Sequence, residues 1–191
     1  GQDAVIRALR CGASGIMIDA SLKPLEENTG ETRRIVELCR AAGVPVEGEL
    51  GHIGSTKDEM ASEFTRVDEA VQFVEETKVD ALAVMIGTAH GKYKKAPQLN
   101  LQRAGEIGRA VKKPLVLHGG SGVPDEQVKG AIAQGVAKVN FGTDLCCAFL
   151  DGIKKTAEGT IAIDLFMNEP IAAVKEFAME KIRLLGADGH A

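Results

Sequence analysis

Apolar and polar residues alternate along this chain in a repeating rhythm. Five short apolar runs, Gly15–Ala20, Val46–Leu50, Ala81–Ile86, Pro114–Leu117 and Ala137–Phe141, have the length and continuity of buried strands. Between them, apolar residues recur at i, i+3 and i+4, as in Ile35, Leu38 and Cys39 or Val67, Ala70, Val71 and Val74. This spacing predicts helices over Gln2–Arg10, Glu31–Ala42, Val67–Thr77, Leu101–Val111 and Asp125–Gln134. Gly12, Gly43 and Gly135 stand where three of them should stop, and Pro124–Asp125 marks a start. Two more helices, Leu145–Thr156 and Pro170–Leu185, follow the last strand with no strand after them.

Regular strand–helix alternation with strands apolar on both faces means a parallel sheet covered by helices. The polar residues fall at the C-terminal ends of the strands: Asp19 and Ser21, Glu49, His90, His118, and Asn140 with Thr143. A barrel gathers every such end at one mouth, whereas an open doubly wound sheet uses mainly its switch point. The expected fold is therefore a partial TIM (β/α)8 barrel, about the last five strands plus C-terminal helices. Because the chain opens on Gly1 already within a helical pattern, residues 1–191 read as a single incomplete barrel domain lacking its N-terminal strands.

Bulk properties narrow the partners. With 45% hydrophobic and 26% charged residues, the chain has ordinary globular composition. Its net charge of −4 and the lack of an aromatic platform argue against nucleic acid. No apolar stretch approaches the length of about 20 residues required to cross a bilayer, so no membrane partner is expected. Cys11, Cys39, Cys146 and Cys147 have neither metal nor redox spacing, which suits reduced thiols and a cytoplasmic location.

The chemistry lies in two histidines. His90 and His118 each end an apolar run and each precede a glycine, in consecutive strand–helix units. A single strand-end histidine usually serves structure, but two so placed can share one metal ion. Zinc accepts imidazole readily, and catalytic zinc takes about three protein ligands plus an open position. His52 and His190, in a loop and at the C-terminus, are poorer candidates, so the third ligand is Glu49 or lies outside this chain. Alternation places Glu47 and Glu49 on one face of their strand, where two inward carboxylates need a cation or hydrogen-bond donors; a salt bridge inside the barrel is the plainer alternative. Gly119, Gly120 and Ser121 after one strand, with Asn140, Phe141, Gly142 and Thr143 after the next, form loops suited to phosphate. Lys92, Lys94 and Lys95 make a basic loop near His90, usually a solvated feature, that can attract an anionic substrate.

Four segments resemble the class II, zinc-dependent ketose-bisphosphate aldolases, which include fructose- and tagatose-bisphosphate aldolases. They are Val46-Glu47-Gly48-Glu49-Leu50-Gly51, Gly87-Thr88-Ala89-His90-Gly91-Lys92-Tyr93-Lys94, Leu117-His118-Gly119-Gly120-Ser121-Gly122-Val123-Pro124 and Lys138-Val139-Asn140-Phe141-Gly142-Thr143-Asp144. They occur in the family's order and spacing, while Ile163–Leu185 resembles its terminal helices only loosely. The resemblance implies an oligomeric TIM barrel in which Zn2+ polarises the ketose carbonyl and stabilises the enediolate of dihydroxyacetone phosphate. It implies His90 and His118 as metal ligands and Glu49 as an alternative ligand. It assigns Gly91, Gly119, Gly120, Ser121, Asn140, Phe141, Gly142 and Thr143 to the substrate phosphate, and leaves room for a monovalent cation nearby. The expected partners are a sugar bisphosphate and further copies of the same chain.

Two departures from the family pattern bear on activity. The family's acid/base aspartate and first zinc histidine precede a glycine that Gly1 matches, so both are expected to be missing from this chain, which alone should catalyse nothing. The loop after Glu49, where family members carry a proton-transferring glutamate, reads Gly54-Ser55-Thr56-Lys57-Asp58, with Lys57 in the glutamate's place and Asp58 or Glu59 as substitutes. Two further readings stay open: a non-catalytic relative that binds a sugar phosphate, and a metal-dependent TIM-barrel hydrolase. The hydrolase would require a ligating aspartate at the last strand, where this chain has Asn140.

Overall fold

The computed structural model describes residues 1–53 and 64–190. In chain order it contains α1 (Gln2–Arg10), β1 (Ile16–Ile18), α2 (Leu25–Ala41), β2 (Val46–Leu50), α3 (Val67–Thr77), β3 (Ala81–Val84) and α4 (Leu101–Val111). There follow β4 (Leu115–Leu117), α5 (Asp125–Ala133), β5 (Val136–Val139), α6 (Thr143–Lys155), α7 (Ile163–Phe166) and α8 (Asn168–Leu184). The five strands form one parallel sheet in strict sequence order, β1-β2-β3-β4-β5. A doubly wound sheet would reverse direction at a switch point. Here each strand pairs with its sequence neighbour, and the helices follow suit, α1 packing on α2, α2 on α3, α3 on α4 and α4 on α5. This is an arc of a (β/α)8 barrel, with the helices as its outer layer.

The core fills the space between sheet and helices, where Val46, Phe73, Leu82, Val84, Ile107, Leu115 and Leu117 are buried. Burying such side chains stabilises by roughly 1.5–3 kcal/mol each. Gly48 shows which way β2 faces: a Cβ there would lie 3.0 Å from both Phe73 Cε1 and Val79 Cγ1. Gly48 therefore faces the helices, and Glu47 and Glu49 face the barrel interior. Their registered neighbours on β3, Ala81 and Ala83, are small and leave room for the two carboxylates.

Most elements start and stop where the periodicity places them. The main difference is α2, which begins at Leu25, six residues before the expected Glu31. Its first turns carry Asn28, Thr29 and Thr32, polar residues that break the apolar pattern yet are buried. The short α7 is also additional, and α6 and α8 each start two residues earlier than expected. The strands match the expected runs within two residues at each end, the expected β3 ending at Ile86 and the observed one at Val84. All four cysteines are free, with Cys39 fully buried and Cys11 just past the end of α1.

Candidate metal and phosphate site

His118 follows β4 and is 4% exposed, and it lies between the two inward glutamates of β2. Its Nε2 is 2.8 Å from Glu47 Oε1, and its Nδ1 is 3.0 Å from Glu49 Oε2. Lys138 of β5 donates to the other Glu47 oxygen at 2.6 Å. Burial alone would lower the pKa of His118, but hydrogen bonds to Glu47 and Glu49 outweigh it and raise it to about 9. Burial likewise pushes Glu47 up, and the bonds from His118 and Lys138 reverse this and hold it below the usual glutamate range. The protonated ring thus supplies the positive charge that two inward carboxylates need, and Lys138 adds a second.

Glu49 is fixed from behind. Asn28 of α2 donates its Nδ2 to the Glu49 carbonyl at 2.9 Å and accepts from Thr32 Oγ1 at 3.0 Å. Ser21 Oγ lies 3.2 Å from Glu49 Oε1 and 2.7 Å from Asp19 Oδ1, so the residues after β1 also reach the site. The ring of His90, beyond the end of β3, is exposed at the mouth with its centroid 6.1 Å from that of His118.

Tyr93 holds the two histidine loops together. Its hydroxyl accepts from Ala89 N–H at 2.7 Å and lies 2.8 Å from the Ala89 carbonyl and 3.0 Å from the Gly119 carbonyl. The loops approach closely at Gly119, where φ is +65° and a Cβ would meet the Ala89 carbonyl oxygen at 2.5 Å. Only glycine tolerates both conditions. Lys92, Lys94 and Lys95, the expected basic loop, are exposed on either side of Tyr93.

The two glycine-rich loops are joined in the same way. Gly120 N–H donates to the Asn140 carbonyl and Asn140 N–H to the Leu117 carbonyl, both at 3.0 Å. Ser121 Oγ accepts from Asp144 N–H at 3.1 Å, and Asp144 Oδ2 accepts from Gly122 N–H at 2.9 Å. These bonds place Ser121 against the first turn of α6, which begins at Thr143. Gly142 supplies no side-chain cap of its own, and the positive end of the α6 dipole beside these loops favours an anion.

The residues fit a zinc ion in donor chemistry: two imidazoles and a carboxylate from three adjacent units. A zinc-bound histidine commonly keeps a carboxylate on its second ring nitrogen, and His118 has one on each. Metal would then replace the proton now shared with one of them. Among the described residues, no three His, Cys, Asp or Glu side chains already converge on one point, so the ligands must shift to take the ion. His52, just beyond β2, keeps a buried Nδ1 with no partner among the described residues, and His190 is exposed at the far end. Lys57, Asp58 and Glu59 lie outside the described residues. A hollow of about 400 Å3 lined by Ser14, Met17, Glu47, Asp80 and Lys138 opens at the strands' N-terminal ends, opposite the histidine loops.

Sequence reasoning passed over Asn28, Tyr93 and Lys138 as site residues. Tyr93 and Lys138 both lie within the family-like segments, whereas Asn28 has no local signal because its partner is distant in sequence.

The model of the class II fructose-bisphosphate aldolase family matches residues 2–190. The sulfofructosephosphate aldolase of Alkalicoccus urumqiensis is 37% identical over 195 residues, covering 97% of this chain and 68% of the relative. The 6-phospho-5-dehydro-2-deoxy-D-gluconate aldolase of Shouchella clausii is 40% identical over 190 residues, covering 97% and 65%. The crystal structure of the YdjI aldolase from Escherichia coli K12 superposes with a TM-score of 0.89 at 40% identity, covering all of this chain and 68% of that one. The chain thus spans about two thirds of the length of the relatives it matches. On the family model, the shared sheet and the level of identity, the chain belongs to the class II fructose-bisphosphate aldolase family.

Proposed function

We propose that the full-length protein catalyses reversible, zinc-dependent aldol cleavage of a ketose 1,6-bisphosphate, fructose or tagatose, to dihydroxyacetone phosphate and glyceraldehyde 3-phosphate. The observation that best supports this is the single hydroxyl of Tyr93, which joins the His90 loop to the Gly119 loop. It brings the candidate metal ligands beside the candidate phosphate amides, as a substrate with a carbonyl near a phosphate requires. The two named relatives are likewise aldolases of phosphorylated compounds.

His90 and His118 would hold the metal, with Glu49 as the alternative ligand. Zinc bound there supplies Lewis-acid polarisation of the substrate carbonyl. Glu47 orients the His118 ring, and Lys138 balances the carboxylate's remaining oxygen. Asn28 fixes the backbone of Glu49. Gly91, Gly119, Gly120, Ser121 and Asn140 through Thr143 would receive the phosphate at the start of α6. Leu150, Ile163, Leu165 and Ile171 are large, exposed apolar residues on α6, α7 and α8, which supports assembly into a homo-oligomer.

The test is an assay of the purified full-length protein with each bisphosphate, following triose phosphates by coupled reduction. Formation of both trioses supports the reading. Tight binding of the bisphosphate without cleavage would favour a sugar-phosphate-binding relative instead.

A further inference from the structure

Lys181 of α8 lies outside the histidine and glutamate cluster, and its side chain is only 16% exposed. Its ammonium is 5.7 Å from the centroid of the Phe141 ring and 5.5 Å from that of Phe177. The two rings meet edge to face at 6.4 Å and 81°. The same ammonium is 3.7 Å from Asp125 Oδ1 and 3.0 Å from Glu180 Oε1. Phe141 belongs to the loop after β5, and Asp125 opens α5 directly after the Gly119–Pro124 loop. Phe141 also lies beside Gly120, where a Cβ would meet Val139 Cγ1 at 2.7 Å, the Asn140 carbonyl oxygen at 3.1 Å and Phe141 Cε1 at 3.3 Å. One cation therefore touches the supports of both glycine-rich loops.

We propose that Lys181 is a positioning residue for the substrate phosphate, clamping the Gly119–Pro124 and Asn140–Thr143 loops from behind and tying the C-terminal helices to phosphate affinity. This rests on the reading that those loops hold the phosphate. An ammonium between two aromatic faces and a carboxylate favours one placement of Phe141, the ring that borders Gly120. Without the cation, Phe141 is free to shift from Gly120 and the two loops are held less firmly against each other, although Lys181 never touches the substrate. A pocket that must be ordered on binding holds its ligand more weakly than one already formed.

Calorimetric titration of the full-length, zinc-loaded protein with inorganic phosphate, together with steady-state kinetics, tests this in the wild type, Lys181→Met, Lys181→Arg and Phe177→Leu. Lys181→Met should weaken phosphate binding and raise KM about tenfold, with kcat and zinc content little changed. Lys181→Arg keeps the cation and should restore binding, and Phe177→Leu should weaken it. Wild-type affinity in Lys181→Met overturns the clamp while leaving the phosphate site intact. If Lys181→Met does not fold, wild-type affinity in Phe177→Leu overturns it equally. Absence of phosphate binding in the wild type overturns the assignment of the loops themselves, and the clamp with it.

Discussion

His118 Nε2 lies 2.8 Å from Glu47 Oε1, although the two residues are 71 positions apart in the chain. This buried pair, completed by Glu49 on the other nitrogen, makes the metal-free site sensitive to pH. The folded-state pKa of His118, about 9, is above the ordinary value of 6.5. The stabilisation is therefore fully present below about pH 6.5 and is lost as pH rises through about 9. Chemical denaturation of the metal-free protein should show His118→Gln costing most near pH 6 and progressively less towards pH 9.5. A pH-independent difference would show that the ring is neutral in the fold. Because zinc must displace that proton, its affinity should also climb over the same range.

Replacing Tyr93 with phenylalanine removes the hydroxyl from between Ala89 and Gly119. The Ala89 N–H loses its acceptor, and the variant should be destabilised by about 1–3 kcal/mol, with zinc affinity reduced as well. Thermal denaturation with and without zinc separates the two effects. An unchanged difference between the zinc-loaded and zinc-free midpoints would mean that the hydroxyl does not set the spacing of the histidine loops.

Substitutions in the phosphate loops should act on substrate and spare the metal. Ser121→Leu introduces bulk beside Asp144 N–H, and Thr143→Val removes a hydroxyl at the start of α6. Both should raise KM for the bisphosphate more than they lower zinc occupancy. Kinetics alongside metal analysis provides the check, and an unaltered KM in both would place the phosphate elsewhere.

Asn28→Leu should destabilise the protein by about 1–3 kcal/mol, because the Glu49 carbonyl loses a buried donor and Thr32 loses its acceptor. Urea denaturation measures this, and wild-type stability would show that α2 does not support β2 through this residue.

The barrel arc could be read from sequence because each strand is apolar and each helix carries its stripe. The period-two alternation of Glu47 and Glu49 gave their shared face without any contact being known. The first turn of α2 is not legible because Asn28 is buried as a hydrogen-bonding partner, and a hydrophobic pattern cannot distinguish it from a solvated loop residue. Lys138 escaped for a different reason. It reaches Glu47 from 91 positions away, past β3 and β4, a juxtaposition that the curvature of the sheet creates. Lys181 likewise meets Phe141 only once α8 has docked.

The most direct test is the zinc content of the full-length protein beside its rate of bisphosphate cleavage, in the wild type, His90→Ala and His118→Ala. Loss of one of about three protein ligands should leave the ion too weakly held to support catalysis. The wild type should hold stoichiometric zinc, lose cleavage on chelation and regain it with added Zn2+, while both variants lose metal and turnover together. Full zinc occupancy in both variants, or cleavage that survives complete removal of the metal, would contradict a shared zinc at His90 and His118.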